Sequence, residues 1–105
     1  MRDQKDITLS KYTDAKTGDA VVSVCGRDCA RVYATVGVSE NRVLVSDGSS
    51  RKLENPKKKS ISHLRLIAGE CVNCKSNETI AYDLEKYGGI DRTLLRQRYY
   101  KPEKG

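Results

Sequence analysis

The chain of 105 residues carries 20 Lys/Arg against 14 Asp/Glu, a formal net charge of +6, and 37% of its residues are hydrophobic. This inventory allows one modest core built mostly from Val, Leu, Ile and Ala, since Trp and Phe are absent, and it leaves too little apolar material for a second core. No apolar run approaches the roughly 18 residues that span a bilayer, and the first 16 residues lack the apolar centre of a secretory signal, so we expect a cytoplasmic protein without membrane contact.

The positive charge is concentrated in one stretch. Residues 48–69 hold six Lys/Arg and one Asp/Glu, whereas residues 1–47 hold seven of each and residues 70–105 hold seven and six. Clustered cations favour a polyanionic partner, and nucleic acid is the commonest one. The alternative is a solvated surface that only keeps the protein soluble.

The first two thirds of the chain have the pattern of a small β domain. Residues 1–17 are polar and aperiodic, which predicts a flexible or loosely docked N-terminal arm. About five short strands follow at AVVSV, RVYATVGV, VLVS, SRKL and SHLRLI, with no helix between them. Asp47-Gly48 is a hairpin signal, because both residues tolerate positive φ. The pattern predicts one small, strongly bent antiparallel barrel over residues 18–68.

Residues 69–105 are predicted to form a short helical extension. Asn77 is a candidate N-cap, ETIAYDLEKY gives about three helical turns, and Gly88-Gly89 would end the helix. A second short helix is predicted near Asp91. Because both helices are short and sparsely apolar, we expect them to pack on the barrel or to order on a partner.

Three groups of residues carry a resemblance to a known family. They are Gly26-Arg27-Asp28, the turn Asp47-Gly48 with Arg51-Lys52-Leu53, and Pro56-Lys57-Lys58-Lys59 with His63-Leu64. In this order the sequence resembles the SH3-like barrels of KOW type, and it looks closest to the bacterial RNA-binding proteins related to the L-fourteen-e group of large-subunit ribosomal proteins. The resemblance covers roughly residues 18–67. It implies a mainly β, SH3-like (KOW-type) barrel that binds RNA, in particular ribosomal RNA or the ribosome, through its loops.

The KOW turn departs from the family pattern at two positions. The family continues with Lys-Gly after Arg-Asp, whereas this chain has Cys29-Ala30. Glycine permits positive φ or a close backbone approach, and alanine tolerates positive φ poorly. We therefore expect a re-formed turn that lacks one basic contact.

The candidate RNA-binding side chains are cationic or can stack. Lysines in an Asn-Pro loop are mobile point charges suited to phosphates, and arginine forks bind two phosphate oxygens or stack on a base. Asp28 would repel phosphate, so it is expected to cap its own turn or to orient Arg27. For His63, structural and contact roles stay equally open. The candidates are Arg27, Arg31, Arg51, Lys52, Lys57, Lys58, Lys59, His63 and Arg65.

Neither catalysis nor a cofactor is predicted. The sequence has one His, no nucleophile motif and no Gly-rich phosphate loop before a helix, so we expect a non-enzyme. Cys71 and Cys74 have zinc-ligand spacing, and Cys25 and Cys29 could complete a tetrahedral set, but a redox pair or plain reduced thiols fit as well, and the thiols are preferred. The predicted function is RNA docking by a free monomer that prefers structured RNA to a base sequence. The alternative is a protein-interaction module of the transcription or translation machinery, with zinc as an optional stabiliser.

Overall fold

The computed structural model describes residues 8–88, Ile90 and Leu95, and in this part of the chain it shows a mainly β protein. Within the described residues six antiparallel strands form one sheet in the order β1-β6-β2-β3-β4-β5, and the helix α1 follows them. The predicted fold class is confirmed, although the sheet is not closed and β1 and β5 are its edges. The elements are β1 Leu9–Lys11, β2 Asp19–Ser23, β3 Val32–Ser39, β4 Arg42–Ser46, β5 Lys57–Ser60, β6 Leu64–Cys71 and α1 Asn77–Leu84, with 3₁₀ turns at Ile61–His63 and Glu85–Tyr87.

The sheet bends strongly on itself. Three strand spacings separate β2 from β5, which would be roughly 14 Å in a flat sheet. Lys59 Nζ on β5 nevertheless lies 3.2 Å from Ser23 Oγ on β2. Side chains of the concave face fill the space between the strands, and they form the cluster Tyr12, Val21, Tyr33, Val43, Val45 and Leu64.

The convex face is covered by α1. Ala20 and Ala34 on neighbouring strands are fully buried there, against Ile80 of the helix. Since successive residues of a strand point to opposite faces, the run Val21-Val22 is buried on both sides of β2. This double burial explains the unbroken apolar run Ala20-Val21-Val22 in β2.

The N-terminus of α1 is capped by Ser76. Its side chain accepts a hydrogen bond from Thr79 N at 3.2 Å, and Thr79 Oγ1 accepts one from Ser76 N at 3.0 Å, which completes a capping box. The prediction of Asn77 as the cap is therefore wrong by one residue. Asn77 instead holds the β4–β5 loop, because its Oδ1 accepts a hydrogen bond from Leu53 N at 2.8 Å.

Two of the local predictions are corrected by the observed strands. The predicted strand SRKL is part of the loop between β4 and β5, so Asp47-Gly48 does not make a tight hairpin. The lysines predicted as a mobile loop form β5, whose residues Lys57, Lys58 and Lys59 pair with Val45, Leu44 and Val43.

The two ends of the chain are described only in part. Leu9–Lys11, within the predicted arm, pairs with β6 as an edge strand that the polar sequence did not indicate. The helix predicted near Asp91 lies outside the described residues. No helix in the described part is long and apolar enough to cross a membrane.

Candidate nucleic-acid interface

The turn between β2 and β3 contains two residues with left-handed backbone. Gly26 has φ +84° and Ala30 has φ +78°. The turn is closed by hydrogen bonds from Ala30 N to Ser23 O at 2.7 Å and from Ser23 N to Arg31 O at 3.0 Å. The chain therefore keeps positive φ at the position where the resembled family has glycine, and Ala30 is strained there by its Cβ.

The carboxylate of Asp28 is the centre of a polar cluster. Its Oδ1 accepts hydrogen bonds from Ser23 Oγ at 2.9 Å and from Lys59 Nζ at 3.0 Å. Its Oδ2 accepts them from Tyr33 Oη at 2.8 Å and from Lys57 Nζ at 3.2 Å. Asp28 was expected to cap its own turn or to orient Arg27. In the structure its carboxylate binds side chains from three strands, including Ser23 and Tyr33 on either side of the turn.

The lysines of β5 point to two different faces. Lys57 and Lys59 share the concave face with Val43 and Val45 and reach Asp28, whereas Lys58 lies on the opposite face and is exposed. The Lys59 side chain is only 9% exposed, while that of Lys57 is 36% exposed. The run therefore presents Lys58 and part of Lys57 to solvent, and the ammonium of Lys59 is enclosed.

The cluster is held in its charged form. Burial by itself raises the pKa of the Asp28 carboxyl, but hydrogen bonds from Lys59, Tyr33 and Ser23, together with the charge of Lys59, outweigh burial and hold this pKa well below its usual range. Burial and the hydrogen bond to Asp28 raise the pKa of Tyr33 above its usual value, so the phenol remains a neutral donor. Tyr33 is 2% exposed and belongs to the core, so its ring does not lie on the surface.

A second contact joins the β2–β3 turn to the β4–β5 loop. Arg31 Nη1 lies 3.3 Å from Asp47 Oδ2. Asp47 also orders its own loop, because its Oδ1 accepts hydrogen bonds from Ser49 N at 2.9 Å and Arg51 N at 2.8 Å. Hydrogen bonds thus order the loop that carries Lys52 beside the turn.

His63 and Arg65 lie where β6 begins. His63 is exposed and ends a 3₁₀ turn, and its carbonyl accepts a hydrogen bond from Val24 N at 3.0 Å. Arg65 is half-buried, lies opposite Val22 on β2 and Lys11 on β1, and donates to Leu64 O at 2.9 Å. His63 therefore borders the β2–β3 turn on the β6 side, and Arg65 lies farther along the sheet beside β2.

The four cysteines are not gathered in one place. Cys29 is buried in a cluster with Val22 and Val24, whereas Cys74 packs beside the α1 cluster and donates to Thr35 O at 3.6 Å. Burial raises the pKa of the Cys74 thiol, which favours the protonated form. Cys25 is half-buried and Cys71 is exposed. In residues 8–88, Ile90 and Leu95 no group of three or more His, Cys, Asp or Glu could hold a metal ion.

Comparison with known proteins adds no assignment to this geometry. No family model matches the chain, and no curated protein matches it. The functional argument therefore depends on the arrangement of the described residues.

Sequence reasoning missed the partners of Asp28. Ser23 and Tyr33 lie five residues before and after Asp28, on the two strands that flank its turn, and Lys59 follows 31 residues later. If Lys57-Lys58-Lys59 is taken as a strand, its outer two lysines point to one face, because side chains alternate along a strand. The lack of alternating apolar residues hid that strand.

Proposed function

We propose that this protein is a non-enzymatic RNA-binding protein of the KOW type that its sequence resembles, and that it docks on structured RNA, ribosomal RNA in the first place. The docking surface consists of the β2–β3 turn, the β4–β5 loop and β5. It takes the backbone phosphates of the RNA, with His63 and Arg65 at its border. A cytoplasmic location and a monomeric free state are part of the same proposal.

The observation that carries this proposal is the contact between two basic segments that are distant in sequence. Arg27 and Arg31 lie in the turn, while Lys52 and Lys57 lie in the segment with the highest net charge. The ion pairs Lys57–Asp28 at 3.2 Å and Arg31–Asp47 at 3.3 Å connect the segments. Cationic side chains that an ordered scaffold already holds bind phosphates with little loss of conformational freedom.

The charge of Lys59 is excluded from the docking surface. Its ammonium is enclosed and paired with Asp28, so it cannot approach a phosphate without breaking the cluster. The proposal accordingly assigns direct phosphate contacts to the exposed Arg27, Arg31, Lys52 and Lys58 and to the partly exposed Arg51 and Lys57. Lys59 has a structural role, because it pairs with Asp28 inside the cluster.

The test is a salt titration of binding to a structured fragment of large-subunit ribosomal RNA. A Lys52→Ala/Lys58→Ala variant removes two exposed charges from the docking surface, and a Lys16→Ala/Lys75→Ala variant removes two exposed charges elsewhere. Each phosphate contact contributes roughly 0.7–0.9 to the slope of log K against log salt. The first variant should lose roughly 1.4–1.8 of that slope, and the control should lose little.

Two outcomes would overturn the proposal. If the native protein does not bind the RNA, the protein-interaction alternative takes its place. If both variants lose the same affinity and slope, the attraction comes from net charge alone and the docking surface is not where we place it.

A further inference from the structure

Asp28 brings a negative charge into the surface that the proposed function assigns to phosphates. It follows Arg27 in the chain and lies 3.2 Å from Lys57 Nζ. We infer that Asp28 is a positioning residue of the RNA-docking surface, whose carboxylate joins the β2–β3 turn to β5 and thereby fixes where Arg27 and Lys57 lie relative to each other. This inference rests on the proposed function, since it explains how the same surface is ordered.

The side chain of Asp28 contacts residues on three strands, β2, β3 and β5. Ser23 ends β2, Tyr33 lies near the start of β3, and Lys57 and Lys59 belong to β5, which is three strands away from β2 in the sheet. Backbone hydrogen bonds pair β2 with β3, but β5 pairs with β4. The side chain of Asp28 therefore supplies a direct connection between the turn and the lysine strand.

The two lysines that bind Asp28 have different roles. Lys59, with a side chain 9% exposed, also donates to Ser23 Oγ at 3.2 Å and is locked inside the cluster. Lys57 is 36% exposed and makes one contact with Asp28 Oδ2. An ammonium group has three N–H donors, so Lys57 can bind a phosphate oxygen while Asp28 still holds it in place.

The carboxylate of Asp28 favours RNA binding because it orders the Lys57 side chain before the RNA binds. A lysine side chain with free rotamers loses conformational entropy when it is fixed on a phosphate, and a side chain already held loses less. The low pKa of Asp28 keeps the carboxylate charged and therefore keeps this hold. Removing the charge at Asp28 would release Lys57 and loosen the turn that carries Arg27.

The opposing expectations for Asp28→Asn make the inference testable. On charge alone, losing a carboxylate beside phosphates strengthens RNA binding. If Asp28 positions the surface, binding becomes weaker although the net charge rises, and the salt slope falls by roughly 0.7–0.9, as for one lost phosphate contact. The matched control is Asp14→Asn, which removes the charge of a side chain that is 82% exposed and outside the cluster. The control should bind as tightly as the native protein or more tightly.

The experiment measures affinity for the same ribosomal RNA fragment at several salt concentrations, with the amide NMR shifts of Cys29, Ala30 and Arg31 as a readout of the turn. Asp28→Glu retains the charge and should recover part of the affinity. If Asp28→Asn does not fold, the Asp28→Asn/Lys59→Met variant removes the buried charge pair together and restores the native net charge. This double variant should fold and still bind less tightly than the native protein, because Lys57 has lost its anchor.

The outcomes separate the inference from the proposed function. If the native protein fails to bind, the proposed function is overturned first. If the native protein binds and Asp28→Asn binds equally or more tightly, the function stands and the positioning role is overturned. Weaker binding by Asp28→Asn with shifted amides in the turn, and unchanged binding by Asp14→Asn, supports the inference.

Discussion

Replacing Gly48 by alanine tests how closely the β4–β5 loop lies on α1. Gly48 has φ +75°, and a Cβ at this position would overlap the carbonyl oxygen of Asn77 and lie 2.9 Å from Ala81 N. Both atoms belong to the helix backbone, which cannot rotate away as the end of a side chain could. Either the loop or the helix must therefore move. A shift of the helix would displace Ile80 from the core.

The expected loss of stability in Gly48→Ala has two parts. Left-handed backbone costs a residue with a Cβ about 1–2 kcal/mol, and overpacking costs about 1–3 kcal/mol. Gly48→Ala should therefore lower the free energy of unfolding by roughly 2–5 kcal/mol. Gly69→Ala is the matched control, because Gly69 has φ +79° and no atom within 4 Å of its would-be Cβ. It should lose only about 1–2 kcal/mol.

Urea unfolding followed by circular dichroism measures both losses under the same conditions. Amide exchange at Ile80 and Leu84 reports whether the helix is released before the sheet unfolds. Equal losses for Gly48→Ala and Gly69→Ala would refute the close contact between the loop and α1.

Three further predictions concern the turn, the helix and the ion pair. Ala30→Gly should raise the free energy of unfolding by about 0.5–1 kcal/mol, because relief of the strain at φ +78° exceeds the entropy gained by the unfolded chain; a loss in urea unfolding would contradict this. Ser76→Ala should lower the free energy of unfolding by about 0.5–2 kcal/mol through loss of the cap. Ser50→Ala, in an exposed loop, should change this free energy little, and equal effects of the two substitutions would refute the cap. Since the pKa of Asp28 is lowered on folding, its contribution to stability is complete above the unfolded pKa of about 4 and is lost as pH falls below it. The stability difference between the native protein and Asp28→Asn should therefore narrow below pH 4, and a difference that stays constant down to pH 2.5 would count against the ion pair.

Elements with their own local pattern were predictable from the sequence. The alternation in RVYATVGV gives β3, and the apolar run AVVSV gives β2, with ends that differ by one or two residues. The helix after residue 76 was also predicted, because capping residues precede an amphipathic segment that ends near Gly88. In each of these cases the information lies in the element itself and in the residues that flank it.

The errors arise where distant residues decide the structure. Asp47-Gly48 has the chemistry of a hairpin turn, but the glycine is needed because a helix some 30 residues later lies against it. Lys57-Lys58-Lys59 has no apolar residue to mark a strand, and it becomes one because β4 supplies the pairing partner and Asp28 neutralises the inward charge. The enclosure of Lys59 was not predictable either, because it depends on the bend of the sheet.

The lysines of β5 also matter for association between molecules, because β5 is an open edge of the sheet. An edge strand offers unpaired N–H and C=O groups to a strand of another molecule, which is how many β proteins begin to aggregate. Here one edge, β1, is three residues long, and the other, β5, consists of three lysines and a serine with one charge turned inward. A second copy that paired with β5 through the same strand would bring like charges together. The same residues thus protect the molecule from adding a foreign strand.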